Sequence, residues 1–454
     1  MTCKYQNCES LASVEIPDTL TEVGDYAFAG CTSLTSIEIP KTVTRIGIGA
    51  FWGCTSLSSV EIPDSVTEIC TSAFTSCTGL DAILVDVNNP NYCSKDGVVY
   101  SKDMSILIAV PGSKMPLEIP DSVTKIGKGA FENCKNLTSI VIPNCVTEIE
   151  ESAFAGCTSL KSIEIPNSVT EIGWHAFKDC ESLTSVKIPD SVTKIGESAF
   201  WYCTSLASIE IPDSVTEIGD HTFVGCSSLT SIEIPDRVNK IGGGTFSSCT
   251  NLTSIKIPES VTEIGFYAFA DCSSLMEIIV DEGNEKYCSK DGVLYSKDIS
   301  LLIAVPGGKK TAKIPNSVTM IGNGAFSCCE SLTSIEIPDS VTEIGNGAFQ
   351  GCTSLTSIEI PSSVTVIRDV AFFKCTSLTS IEIPDSVKVV GNRIFSDCSR
   401  LVELHLRHKD PIDLFFYLSG LDPSKITLFV PEGSEDVYRH HSFFGQFKEM
   451  AIEK

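Results

Sequence analysis

A phenylalanine returns every 23 residues, from Phe28, Phe51 and Phe74 through Phe131 to Phe269 and again from Phe326 to Phe395. A cysteine follows each of them three residues later, and the unit reads LTSIEIPDSVTEIGxxAFxxCTS. A fixed period of this length marks one small supersecondary element stacked on copies of itself, and it constrains the fold before any local propensity does. A single copy buries a handful of large apolar side chains, each worth roughly 1.5–3 kcal/mol. Fixing its backbone costs about 1–2 kcal/mol per residue, so a lone coil does not fold. Stability must come from the interfaces between coils. The expected fold class is a repeat solenoid of 23-residue coils with parallel β-strands and short helical or 3₁₀ turns.

Within the copy at 206–223, apolar and polar residues alternate, so Leu206, Ile209 and Ile211 are expected to point inward and Ser208 and Glu210 outward. Pro212 ends that strand, because proline cannot donate to a ladder. Val215 to Ile218 alternates again and reads as a second, shorter strand. Gly219 offers a backbone free to take positive φ, although Cys70, Glu150 and Arg368 replace it in other copies. The following stretch is expected to form one helical or 3₁₀ turn that drops Phe223 into the core.

The chain has 21 cysteines, and those in phase, from Cys8, Cys31 and Cys54 to Cys398, are expected as an inward column of buried free thiols. Neighbouring coils bring such residues close enough for a disulfide, but an inward stack need not meet its torsion. Cys3, Cys70, Cys93, Cys145, Cys288 and Cys328 lie out of phase.

Two interruptions are copies of each other, 195 residues apart: YCSKDGVVYSKDMSILIAVPG and YCSKDGVLYSKDISLLIAVPG. Asp96-Gly97 and Asp291-Gly292 are turn signals, and Val98 to Ser101 and Ile106 to Val110 are apolar strands, so each interruption reads as a β-hairpin extension. The expected organisation is a solenoid over 1–404, with insertions at 81–116 and 276–311, and a C-terminal cap over 405–454. That tail is rich in aromatics (Phe415, Phe416, Tyr417, Phe429, Tyr438, Phe443, Phe444 and Phe447) suited to covering an open edge. The N-terminus begins in mid-unit and lacks the apolar run of a signal peptide, which suggests a truncated product, a misplaced start or a removed leader.

A formal net charge of −25 disfavours nucleic acid and anionic lipid surfaces as partners, and no apolar run is long enough for a membrane-spanning helix. No nucleophile elbow, phosphate loop or paired catalytic constellation stands out, so neither an enzyme nor a cofactor is expected. His405 with His408, and His440 with His441, read as solvated cap residues rather than metal ligands. Asp86, Asn88 and Asn89, with Asp281, Glu282 and Asn284, lack the spacing of a calcium loop. The informative column is the exposed residue of the first strand: Glu38, Glu61, Glu164, Glu210, Glu233, Glu336, Glu359 and Glu382, broken by Lys187 and Lys256. Glu164, Lys187, Glu210, Glu233 and Lys256 are its candidate partner-binding segment.

Leu-x-x-Ile-x-Ile followed by Pro-x-x-Val-x-x-Ile-Gly and Ala-Phe-x-x-Cys resembles the BspA-like, Treponema-type leucine-rich repeats, with insertions and an ending similar to those of Bacteroidetes members. The resemblance implies a cell-surface or secreted adhesin-like scaffold that binds protein partners, such as host matrix or cell-surface proteins. A structural spacer, an intracellular interaction protein or a fragment of a larger surface protein is the alternative, and the missing signal peptide leaves a cytoplasmic location open.

Overall fold

The computed structural model describes residues 5–114, 116–411 and 421–453, and in it the chain is a parallel β-solenoid with coils in register every 23 residues. It divides into two compact units, Met1–Arg237 and Val238–Lys454, each built on the same plan. In the first unit Ser162–Glu164, Ser185–Lys187 and Ser208–Glu210 pair in parallel as first strands. Lys125–Ile126, Glu148–Ile149 and Glu171–Ile172 pair as second strands of only two residues. The second unit repeats this with Met320–Ile321, Glu343–Ile344, Val366–Ile367 and Val389–Val390.

The third side of each coil is a run of tight turns rather than a helix. Alternate residues bond within the coil and between coils: Ala27, Ala29 and Cys31 donate three residues back, to Gly24, Tyr26 and Phe28. Tyr26, Phe28 and Gly30 instead donate to the carbonyls of Ile48, Ala50 and Trp52 in the next coil. Positive φ falls at Tyr26 and Gly30 (+53° and +74°), and this interrupts any helical run. The glycine expected to use positive φ does not. A Cβ on Gly47 would lie 2.6 Å from Asp25 N, so glycine there serves close approach of coils.

Phenylalanines stack down the core, as at Phe154–Phe177 and Phe349–Phe372 with centroids 5.4 Å apart and planes 3° from parallel. The in-phase cysteines from Cys31 to Cys398 are buried and free. Most of these thiols donate to a carbonyl one coil back: Cys180 Sγ to Phe154 O at 3.2 Å, Cys203 to Phe177 at 3.1 Å and Cys375 to Phe349 at 3.2 Å. A small weak donor that tolerates an apolar core suits this position better than serine, whose hydroxyl costs more to bury. Burial pushes the thiols of Cys134, Cys180, Cys226, Cys272 and Cys398 up to about 12.

Each insertion contributes one layer. Ala82–Val85 continues the first-strand sheet, and a three-stranded meander follows: Tyr92–Lys95, Val98–Ser101 and Ile106–Ala109, the last pairing in parallel with Lys125–Ile126. Asp96 and Gly97 both have positive φ, as a two-residue hairpin turn with strand-matched twist requires. The polar strand Tyr92–Lys95 was hidden from sequence reasoning because it has no apolar alternation. Tyr287–Lys290, Val293–Ser296 and Leu301–Ala304 repeat the meander in the second unit.

Val110 follows Leu107 by three positions, where a regular coil advances five from Ile126 to Phe131. Val110 takes the phenylalanine's place, donating to Ala130 O at 3.0 Å, but the outer turn is cut away. A notch of about 240 Å³ results, and its counterpart in the second unit holds about 210 Å³. Accordingly Ile69 and Ile264 are only half-buried, whereas Ile126, Ile149 and Ile321 at the same position are fully covered.

The tail adds two more parallel rungs, Thr427–Pro431 on Glu403–Leu406 and then Glu449–Glu453. Tyr438, Phe443, Phe444 and Phe447 are buried against the last coils, and Tyr438 Oη donates to His408 O at 3.0 Å. Phe415, Phe416, Tyr417 and Cys3 lie outside the described residues.

Candidate functional site

Alternation in a pleated strand sends every second side chain outward, and the in-register stack turns one exposed residue into a column. Glu164, Lys187 and Glu210 are neighbours in that column, paired rung to rung. All three are exposed, and none has an ion-pair partner among the described residues. Glu233 is exposed on the same face of the first unit, in a segment with no strand assignment. Lys256 belongs to the second unit, on Ser254–Ile257, where it pairs with Asp281 at 2.9 Å. Val141 occupies the rung before Glu164 and is 82% exposed, an apolar break in the charge.

The same column enters a hollow that sequence reasoning missed. In the first coils Glu15 bridges to Glu38, and Glu38 and Glu61 line a depression of about 1030 Å³ together with Asp18, Leu84 and Asp86. Among the described residues Glu15, Glu38, Glu61 and Asp18 have no cationic partner. The signal was present as Glu38 and Glu61, but a repeat sequence does not state that the surface around them is concave.

The second-strand face behaves differently. Lys125 lies 2.7 Å from Glu148 and 3.4 Å from Glu150, Lys194 lies 2.7 Å from Glu171, and Arg45 lies 3.1 Å from Asp25 and 3.5 Å from Glu68. These are exposed pairs worth little each in stability, and they offset only part of the negative charge on this face. On the first-strand face of the first unit, by contrast, Glu38, Glu61, Glu164 and Glu210 have no ion-pair partner at all among the described residues.

The candidate ligand groups are engaged in structure. Asn89 is fully buried: its Nδ2 donates to Pro63 O at 2.8 Å and Val66 O at 2.9 Å, while its Oδ1 accepts from the N–H groups of Asn91 and Tyr92. Asn284 does the same in the second insertion, bonding Pro258 and Val261. His408 is not a solvated cap residue: it is buried, with Nε2 2.9 Å from Val387 O, because the tail folds over it. Burial lowers its pKa. His405 stacks on Phe429 at 4.2 Å and contacts Glu453 at 2.9 Å. Among the described residues no three His, Cys, Asp or Glu side chains converge to hold a metal, and no helix is long and apolar enough to cross a membrane.

Comparison with known proteins agrees with this architecture. The model of the BspA type leucine-rich repeat region matches residues 2–95, 115–207, 193–291 and 309–411. The chain is similar to the pneumococcal vaccine antigen PcpA at 22% identity and a TM-score of 0.58, covering 80% of this chain and 98% of that one. It is also similar to a leucine-rich repeat protein from Bacteroides ovatus (26% identity, TM-score 0.43, 98% and 93% covered). A leucine-rich cell surface protein from Faecalibacterium prausnitzii is similar at 28% identity and a TM-score of 0.46, with 90% and 92% covered. No curated protein sequence matches the chain. Leucine-rich repeat chains of this kind are protein-interaction scaffolds. The repeat unit, the coil geometry and the family match together place this chain in the BspA-type leucine-rich repeat family.

Proposed function

We propose that the protein is a non-enzymatic, adhesin-like scaffold of the cell surface or exterior that captures protein partners carrying a basic patch. The observation that carries this reading is the pair of unpaired carboxylates Glu38 and Glu61 set in a hollow of about 1030 Å³, with Glu15 bridged to Glu38 on the coil before. Glu164, Lys187, Glu210 and Glu233 extend the same face within the first unit. Desolvated recognition needs concavity, and long-range attraction needs uncompensated charge; the hollow offers both. The surface location is what membership of this family suggests.

The test is binding of the full chain to a panel of immobilised matrix proteins by interferometry, at rising sodium chloride. Binding should fall as the Debye length shrinks from about 14 to about 5 Å. The double variant Glu38→Lys/Glu61→Lys should lose about tenfold or more in affinity, chiefly through slower association. Affinity unchanged by both salt and charge reversal refutes the acidic-face mechanism.

A further inference from the structure

In a regular coil one peptide group links three layers on the outer turn. The carbonyl of Ile48 accepts from Tyr26 N, and the N–H on the other side of that same peptide bond, from Gly49, donates to Thr71 O. The shortened layer of each insertion lacks this peptide group. On one wall of the second-unit notch Tyr267 N–H is therefore left without an acceptor, and on the other Asn323 O is left without a donor, among the described residues. Ser72 N–H and Lys128 O are the equivalent pair in the first unit.

The two notches have diverged. In the first unit the chain supplies its own polar filling: the Glu132 carboxylate accepts from Ser72 Oγ and from Thr75 Oγ1, beside Lys128 and Glu150. The corresponding residues of the second unit are Ser327, Tyr267 and Ala270, so no carboxylate enters, and the Tyr267 ring spans part of the gap against Gly324 with its Oη donating to Asn346 O at 3.1 Å. Its walls are apolar instead: Ile264, Leu301, Ile303 and Met320, with Phe266 at the rim 65% exposed. A volume of about 210 Å³ is small for a free organic ligand, whose pockets run from about 300 Å³, but it accommodates one large side chain.

We propose that the second-unit notch binds an extended segment of a partner protein. One backbone peptide group of that segment replaces the missing one, its carbonyl accepting from Tyr267 N–H and its N–H donating to Asn323 O. The adjoining leucine-like or aromatic side chain fills the space among Leu301, Ile303 and Met320. This recognition is strand addition reduced to a single rung, with side-chain specificity from one pocket. It rests on the protein-binding function proposed above and names the partner chemistry of a second surface.

The probe is N-acetyl-leucine N-methylamide, titrated into the ¹⁵N-labelled full chain and read by transverse-relaxation-optimised NMR. A saturable downfield shift of the Tyr267 amide, with Ser72 unmoved, is expected. Ser327→Glu, which installs the carboxylate of the other notch, should weaken binding about tenfold or more. Met320→Ala, which leaves the backbone untouched, should weaken it severalfold, and circular dichroism shows whether each variant is folded. No shift at Tyr267, or toluene filling the notch while the amide ligand does not, overturns the proposal. Basic matrix proteins still captured by the first-strand face after such a failure would leave the acidic-face function standing.

Discussion

The column of buried thiols makes the fold sensitive to alkali. In the unfolded chain a thiol ionises near pH 8.5. In the folded chain Cys134, Cys180, Cys226, Cys272 and Cys398 are pushed up to about 12 by burial, and Cys157, Cys203 and Cys352 are pushed well up. Because the folded state holds the proton more tightly, the stability these groups contribute is complete below pH 8.5. It is lost as pH rises towards 12. At pH 10 each such thiol has cost about 2 kcal/mol, and eight of them about 16 kcal/mol. That exceeds the roughly 5–15 kcal/mol by which folded domains are usually stable. Reduced protein should therefore unfold cooperatively between about pH 9 and 10.5. Far-ultraviolet circular dichroism should fall at the same pH at which thiolate absorbance near 240 nm rises. A gradual thiolate titration with the dichroism intact, or a melting temperature unchanged from pH 8 to 10.5, would refute the argument.

Asn89→Ala removes four hydrogen bonds and should cost about 2–6 kcal/mol. Hydrogen exchange of the peptide spanning 86–101 should then quicken by at least about tenfold, and Asn284→Ala should reproduce the effect in its own insertion. Val370 holds φ at +50°, a conformation costly for a β-branched residue, so Val370→Gly should stabilise by about 0.5–1 kcal/mol in urea unfolding. Brief iodoacetamide treatment of native protein, read by mass spectrometry, should modify the partly exposed Cys8, Cys70, Cys93, Cys145, Cys288 and Cys328 before any of the buried in-phase cysteines from Cys31 to Cys398.

The solenoid and its inward columns were legible because a strict period fixes which side chains meet. Phe154 and Phe177 can only stack if the coils between them are equal. Local backbone was less legible. Positive φ sits at Tyr26, Ser152, His175 and Val370, residues with no glycine signature, each of which donates its N–H to a carbonyl of the next coil. Asn89 looked like a loop residue with ligand oxygens; its role emerged only when Pro63 and Val66 of the preceding coil presented carbonyls to it. The acidic column was readable residue by residue, yet the hollow at Glu38 and Glu61 involves residues of several coils, from Asp18 to Asp86, that no single copy of the repeat brings together. The notches escaped notice because they arise from two residues that are missing between Leu107 and Val110, and a deletion inside an insertion leaves no motif.

The reciprocal bonding of the outer turn bears on how such a chain can vary. Every regular boundary within a unit offers the same donors and acceptors from both sides, so excising one 23-residue copy between equivalent positions rejoins surfaces that already fit. Length is thus adjustable in steps of about 4.8 Å without a new contact being invented. Similar copies such as those at 162–184 and 185–207 are natural places for gain or loss by recombination. Within a unit, the reach of the acidic face is then a quantity that a population can tune by copy number, while the insertion of that unit marks a fixed point.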